Sequence, residues 1–257
     1  MPGAEEVLAG RDTDADWRAL GVSNPYWGVI SHPQFLRENV TLEALDDFYL
    51  SGVQHIDAVA KDLGWLTGKL PSGRALDFGC GVGRLAEAMT RYAQLVTGYD
   101  ISPGMLELAR ERKGRVNYTD QLPDGPFDWI NSFIVFQHIP PDRGLELLRE
   151  LMARLSNGGV ISLQLTVWRD SGMETWPQER GLRRLFQAPR QRLWMRRLPV
   201  GQILMYDYDL SQVIRILNEA GIEDMRLVST NHSGHHGVII LGRKAASIDS
   251  SQEPSDG

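Results

Sequence analysis

From Arg74 to Val167, short apolar runs alternate with stretches in which apolar residues recur at three- and four-residue spacings. The runs have the pattern of strands buried on both faces, and the spaced stretches that of helices packed along one side. RALDF at 74–78, LVTGYDI at 95–101, VNYTD at 116–120 and VISLQLTV at 160–167 read as strands, and DWINSFIVFQHI at 128–139 holds another. Between them, GRLAEAMTRYA at 83–93, SPGMLELARERKG at 102–114 and PDRGLELLRELMARLSNGG at 141–159 read as helices. The middle helix carries its own punctuation, with Ser102 as N-cap, Pro103 at the first position and Gly114 as the stop. Strand and helix in regular succession predict a parallel sheet covered on both faces by helices.

The flanks break this rhythm. Residues 15–70 read as an N-terminal helical cap, with Trp17, Tyr26, Trp27 and Trp65 and one or two amphipathic helices in TLEALDDFYLSGVQHIDAVAKDLG. The core follows at 71–167. An insertion at 168–205 is rich in Arg, Trp and Leu and interrupted by Pro177, Pro189 and Pro199. The chain then returns to the core at 206–244, with a helix in DLSQVIRILNEAG and a strand pair, MRLVST and HGVIILGR, around NHSGH. The polar segments 1–14 and 245–257 have the composition of disordered tails.

Composition narrows the function. A chain of 257 residues with a formal net charge of −6 argues against a general nucleic-acid binder. Its one cysteine, Cys80, excludes an intramolecular disulfide and fits a reducing compartment. No apolar run approaches the roughly 20 residues of a membrane span. The acidic start MPGAEEVLAGRDTDAD lacks the basic and apolar parts of a signal peptide, so a cytoplasmic protein is expected.

The candidate chemistry lies in ALDFGCGVGRLAEA at 75–88. Gly79, Gly81 and Gly83 let a backbone turn approach a ligand closely, and the helix that follows aims free N–H groups at the same place. From Gly81 the loop fits a dinucleotide fingerprint, and Asp100 follows at the spacing of a ribose-binding carboxylate. Asp77 distinguishes the ligands. A carboxylate at the mouth of the loop repels a pyrophosphate and attracts an ammonium or sulfonium.

LDFGCGVGRLA followed by GYDISPGMLELAR resembles the class I S-adenosylmethionine-dependent methyltransferases. TDQLP with FDWINSFIVFQHI, and LSNGGVISLQL, are similar to the later strand segments of that family. The resemblance implies a Rossmann-like α/β fold, a mostly parallel seven-stranded sheet with a C-terminal antiparallel strand. It also implies S-adenosylmethionine as cofactor. Asp77, Gly79, Cys80 and Gly81 would then face its methionine part, and Asp100 its ribose. Ile101, Ser102 and Met105 would border the adenine, with Asp120 and Gln121 at the amino edge. Ser132, Phe133 and Phe136 would stand near the methyl group. From the cap, Tyr26 would close the pocket and Arg37 would meet the cofactor carboxylate. An NAD(P)-dependent oxidoreductase and a non-catalytic cofactor-binding regulatory or scaffold domain are the rival readings.

A hydroxyl acceptor needs a base. His138, at the end of the fourth strand, is the first candidate, followed by His232 and His235 with their neighbour His236. These three with Asp207 or Asp209 raise the question of a metal, but no H-E-x-x-H or C-x-x-C spacing supports one and none is assigned. The insertion segment QERGLRRLFQAPRQRLWMRRL reads as a solvated face, a lid for an acidic acceptor, or a peripheral membrane contact through Trp194 and the arginines. The expected activity is O-methylation of a small-molecule or glycan acceptor. A weaker similarity to bacterial methyltransferases of surface-polysaccharide synthesis favours a sugar hydroxyl and carbohydrate biosynthesis.

Overall fold

The computed structural model describes residues 11–171, 200–201 and 203–246. The tails before 11 and after 246, and the arginine-rich part of the insertion, lie outside the described residues. The cap begins earlier than its composition suggests. Asp12 accepts a hydrogen bond from the Ala15 amide and so caps helix α1 (Thr13–Ser23), which takes residues 11–14 out of the predicted tail. Helix α2 (Pro25–Val29) and a 3₁₀ turn (Pro33–Phe35) follow. The long amphipathic stretch forms one helix, α3 (Leu42–Thr67), capped by Thr41 and closed by Gly68 in the left-handed region. Its Phe48, Gly52, Ile56, Val59 and Leu63 form a single buried stripe.

The core elements are β1 (Arg74–Phe78), α4 (Arg84–Met89), β2 (Leu95–Tyr99), α5 (Pro103–Glu111), β3 (Val116–Thr119), β4 (Phe127–Ser132), a 3₁₀ turn (Phe136–His138), α6 (Pro141–Ala153) and β5 (Leu155–Arg169). Helix α7 (Leu210–Glu219) leads into β6 (Ile222–His232) and β7 (His235–Lys244). The seven strands lie in the order β3-β2-β1-β4-β5-β7-β6. The pairs among β1 to β5 are parallel, and β7 runs antiparallel to both β5 and β6. β5 starts earlier than its apolar run because Leu155 already pairs with Phe127, so the predicted glycine-stopped helix ends at Ala153 instead. It also runs through Arg169, which moves the first residues of the expected insertion into the sheet.

Each face of the sheet buries its own apolar cluster. Ile56, Val59 and Leu63 of α3, Met89 of α4 and Leu106 of α5 pack on one face with Trp129 and Leu241. Leu148 and Leu151 of α6 and Val213 and Leu217 of α7 pack on the other with Ile130 and Leu163. A third cluster, around Phe35, Phe48, Val82 and Met105, joins the cap to the glycine loop.

One polar row crosses this apolar interior. Asp77, Asn131 and Ser162 are side-by-side partners on β1, β4 and β5. Trp129 Nε1 donates to Ser162 Oγ at 2.9 Å, Ser162 Oγ donates to Asn131 Oδ1 at 2.6 Å, and Asn131 Nδ2 donates to Asp77 Oδ1 at 2.8 Å. Removing a link leaves buried partners unpaired, which costs about 1–3 kcal/mol. Ser162→Ala is therefore expected to lower the free energy of unfolding by that amount, read as a lower urea midpoint at unchanged m-value, whereas Ser229→Ala on the exposed side of β6 should leave the midpoint in place.

Candidate active site

The ends of β1 and β2 build the site between them. Parallel pairing sets Asp77 beside Gly98 and Phe78 beside Tyr99, so the chain leaves both strands at the same level. The loop after β1 is then fastened over the end of β2. The amides of Gly79 and Cys80 donate to the Tyr99 carbonyl at 2.8 and 2.9 Å, and the Gly81 amide donates to Asp100 Oδ2 at 2.8 Å. Gly79, Gly81 and Gly83 all have positive φ, and a Cβ on Gly81 would run into Val29 of α2. The glycines are required by geometry.

Asp77 is 2% exposed and presents Oδ2 without a partner. Burial pushes its carboxyl up to about 6, opposed by the Asn131 hydrogen bond and the nearby Arg84. Asp100, also buried, accepts from the Ser102 amide at 2.8 Å through Oδ1, and burial pushes it up to about 6 as well. Both carboxylates open on a cleft of about 910 Å³, its open mouth included. Gly79, Cys80, Gly81, Ile101, Met105, Phe133 and His138 stand on the same walls. The Cys80 thiol is pushed well up by burial and by Asp100 and Asp77, so it is no thiolate nucleophile.

Other expected residues lie off the cleft wall. Ser102 is fully buried under Gly21 of α1, with an unpartnered hydroxyl; Ser132 is buried at the end of β4 and Phe136 in the 3₁₀ turn that follows it. Asp120 and Gln121 are exposed in a turn held by Thr119. Tyr26 packs edge-on against Phe48 at 5.4 Å, and burial raises the pKa of its phenol. Arg37 is exposed, donates to the Val22 carbonyl at 3.1 Å and is not among the residues on the cleft wall. The aromatic that the cap supplies is Trp17 of α1, whose ring meets the His138 ring at 4.8 Å on the cleft wall. Asp14 of the same helix holds Arg143 of α6 in a two-point ion pair at 2.6 and 2.9 Å. Trp17, noted only as a cap aromatic, Arg84, noted only within LDFGCGVGRLA, and Arg143 were given no role at the site by the sequence; helix packing brings them to the cleft wall.

The histidines divide into three kinds. His138 is buried, with Nδ1 bonded to the Leu204 carbonyl at 2.8 Å and Nε2 3.2 Å from Gln137 Nε2. The carbonyl fixes the Nδ1–H tautomer, so Nε2 accepts from the Gln137 amide. Burial lowers its pKa to about 4, well under the ordinary histidine value on which a titration near 6.5 would depend. His236 turns to the other side of β7, stacked on Trp168 at 3.7 Å and paired with Asp170. His232 and His235 are partners across the β6–β7 hairpin. His232 meets the edge of Phe133 at 5.9 Å with Nε2 buried and unpartnered, and His235 leaves Nδ1 in the same state. Burial lowers both pKa values. His55 of α3, absent from any motif, lies against the other side of this group, its ring 4.0 Å from Phe133.

Asp207 is tied to Arg169 at 2.9 Å, and Asp209 caps α7. Among the described residues no group of three or more His, Cys, Asp or Glu is placed to hold a metal ion.

This strand order, with a glycine loop after β1 and a carboxylate after β2, defines the Rossmann-like methyltransferase fold. The chain belongs to the class I S-adenosylmethionine-dependent methyltransferases, and S-adenosylmethionine is its cofactor. Residues 76–163 match the family described as a methyltransferase domain. The ribosomal protein L11 methyltransferase of Chromohalobacter salexigens is 30% identical over 205 residues, 74% of this chain and 67% of that protein. The ubiquinone biosynthesis O-methyltransferase of Xanthomonas campestris pv. campestris is 33% identical over 105 residues, 37% of this chain. The chain spans 43% of the length of that relative. Among solved structures, the magnesium protoporphyrin IX methyltransferase of Synechocystis PCC 6803 superposes with a TM-score of 0.59 at 18% identity, covering 91% of this chain and all of that one. The N-methyltransferase NodS of Bradyrhizobium japonicum WM9 gives 0.55 at 14% identity, covering 91% and 99%. The unpartnered, buried Asp77 Oδ2 and the glycine loop fit such a ligand, since the cofactor brings an ammonium for the one and needs the close backbone approach of the other.

Because Asp77 and Asp100 sit near 6 in the free protein, their protonated forms favour the fold. That contribution is full below their unfolded value of 3.8 and is lost as pH rises through about 6. A ligand that donates to these carboxylates favours the ionised forms. S-adenosylhomocysteine affinity is therefore expected to be constant above about pH 7 and to fall by roughly tenfold per pH unit, per carboxylate, below 6. Calorimetry in buffers of different ionisation enthalpy should show proton release near pH 6, and a flat profile from pH 5 to 8 would refute the assignment.

Proposed function

We propose that the chain methylates an oxygen of a small polar acceptor, a sugar or glycan hydroxyl in our reading, with a histidine of the β6–β7 hairpin as general base. When bound, S-adenosylmethionine supplies a methyl group on a sulfonium and leaves as a neutral thioether. Asp77 Oδ2 is suited to accept from its ammonium and Asp100 from its ribose hydroxyls, with Ile101 and Met105 along the adenine. Membership of the methyltransferases displaces the NAD(P) oxidoreductase reading. The relative named as a ubiquinone biosynthesis O-methyltransferase supports oxygen as the acceptor atom. A cytoplasmic setting fits the single buried cysteine, and no helix among the described residues is long and apolar enough to cross a membrane.

The observation that carries the base is the pair of buried, unpartnered nitrogens, His232 Nε2, whose ring meets Phe133, and Nδ1 of its cross-strand partner His235. A neutral imidazole with a free lone pair can take a hydroxyl proton as the oxygen bonds to the methyl carbon. His138 is the weaker candidate, because both its nitrogens are engaged within the protein and its bond to Leu204 pins the 203–208 segment to the cleft. Its place is that of a positioning residue.

Methyl transfer should be measured with S-adenosylmethionine against a panel of glycosides, nucleotide sugars and phenols. With the acceptor found, His232→Ala or His235→Ala is expected to lower kcat by about 10²-fold or more at unchanged S-adenosylhomocysteine affinity. His138→Ala should act mainly on stability. Because burial lowers the pKa of both imidazoles, with Arg169 adding to the effect on His235, the acidic fall in kcat should lie below the ordinary histidine value of about 6.5. Full activity in both hairpin variants together with loss in His138→Ala would return the base to His138.

A further inference from the structure

Ile134 leaves β4 with a φ of +58° and stands on the wall of the cofactor cleft. Among the described residues, Lys113 and Ser233 are the other non-glycine residues at positive φ. They lie just past α5 and in the β6–β7 turn, where such backbone is common. Ile134 is different. A β-branched residue in the left-handed region is a true outlier, and its strain persists only where the surroundings enforce it.

The enforcing group is Gln164 of β5. β4 ends at Ser132, which pairs with Leu163, while β5 runs on, so Gln164 stands beside the chain as it leaves the sheet. Gln164 Oε1 accepts from the Ile134 amide at 3.0 Å, a side chain taking over where the strand ladder stops. Only the oxygen of the Gln164 amide can meet a backbone N–H, which fixes its orientation and leaves Nε2 buried without a partner. Gln164 is 1% exposed, and that unmet donor is a cost the apolar core gives no reason to carry. Two residues further along the same side of β5, Thr166 Oγ1 donates to Gln137 Oε1 at 2.9 Å. β5 therefore holds the loop after β4 at two points.

The turn at Ile134 separates two contacts that meet across the cleft. Before it, the Phe133 ring lies 4.0 Å from that of His55 and 5.9 Å from that of His232. After it, Val135 packs so closely on the glycine loop that a Cβ on Gly79 would strike it. We propose that Gln164 is a positioning residue: by clamping the Ile134 amide it holds this left-handed turn, and so seats Val135 against the cofactor loop and Phe133 against the hairpin histidine. The proposal rests on the S-adenosylmethionine reading of the cleft and names the group on β5 that shapes the wall between cofactor and base.

If Gln164 restrains a strained turn, removing the strain makes the clamp dispensable. Glycine is at ease at this φ, so Ile134→Gly removes it. S-adenosylhomocysteine is titrated calorimetrically into the unaltered protein, Gln164→Leu, Ile134→Gly and the double variant. Gln164→Leu is expected to weaken binding by about fivefold or more alone, the worth of one hydrogen bond, and by less than about twofold beside Ile134→Gly. A loss of the same size in both backgrounds, as a packing role would give, overturns the proposal, and so does no loss in either. If a Gln164 variant does not fold, Ile134 decides. Its amide should be protected from hydrogen exchange in the unaltered protein, and Ile134→Gly should unfold at a higher urea concentration than Ile134→Ala. Rapid exchange of that amide, or a midpoint for Ile134→Gly at or below that of Ile134→Ala, overturns the clamp. Failure of the unaltered protein to bind S-adenosylhomocysteine would instead remove the cofactor reading, leaving exchange and the urea midpoints to judge the turn.

Discussion

Asp77 and Asp100 end neighbouring parallel strands as buried carboxylates, and most of the molecule is arranged around keeping them there. Each needs donors at short range, because an isolated buried carboxylate would simply take up a proton. Asp100 draws its donors from the backbone, the amides of Gly81 and Ser102, which also sets the course of the loops after β1 and β2. Asp77 draws one from Asn131, which is held in turn by Ser162 and Trp129. The binding geometry at the sheet's edge is therefore fixed by a hydrogen-bonded row in its interior. Both oxygens of Asp100 have a backbone donor, whereas Asp77 leaves Oδ2 without a partner.

The surrounding elements control how wet and how charged the cleft is. Helix α1 lies over Ser102 through Gly21, brings Trp17 onto His138 and is tied to α6 by Asp14 and Arg143. The segment after the insertion returns to the same wall, where the Tyr206 amide donates to the Gln137 carbonyl and Leu204 accepts from His138. These contacts close the cleft with parts of the chain far apart in sequence. Burial lowers the pKa of His138 on the cleft wall, and burial with a nearby arginine lowers those of His55 and His235, Arg84 acting on the first and Arg169 on the second. A neutral imidazole suits proton removal from a hydroxyl, whereas a charged one would repel a sulfonium.

The β–α alternation, the glycine loop, Asp77 and Asp100 could all be read from the chain because they obey local rules. Strand and helix periods, glycine at positive φ and a carboxylate at a strand end are set by residues within a turn or two of one another. The fold and the cofactor follow from those rules and from a motif long enough to be specific. Arg84, Trp17, His55 and the division among the histidines were decided by tertiary structure. Arg84 is turned along α3 by the absence of a side chain at Gly52, 32 residues away in sequence, and is stranded by burial. His138, expected at the end of the fourth strand, lies in the 3₁₀ turn after β4, and the Leu204 carbonyl, brought back across the insertion, engages its Nδ1. His235 and His236 are adjacent in sequence and opposite in orientation, because successive side chains of a strand point to opposite faces and only the sheet says which face holds the ligand.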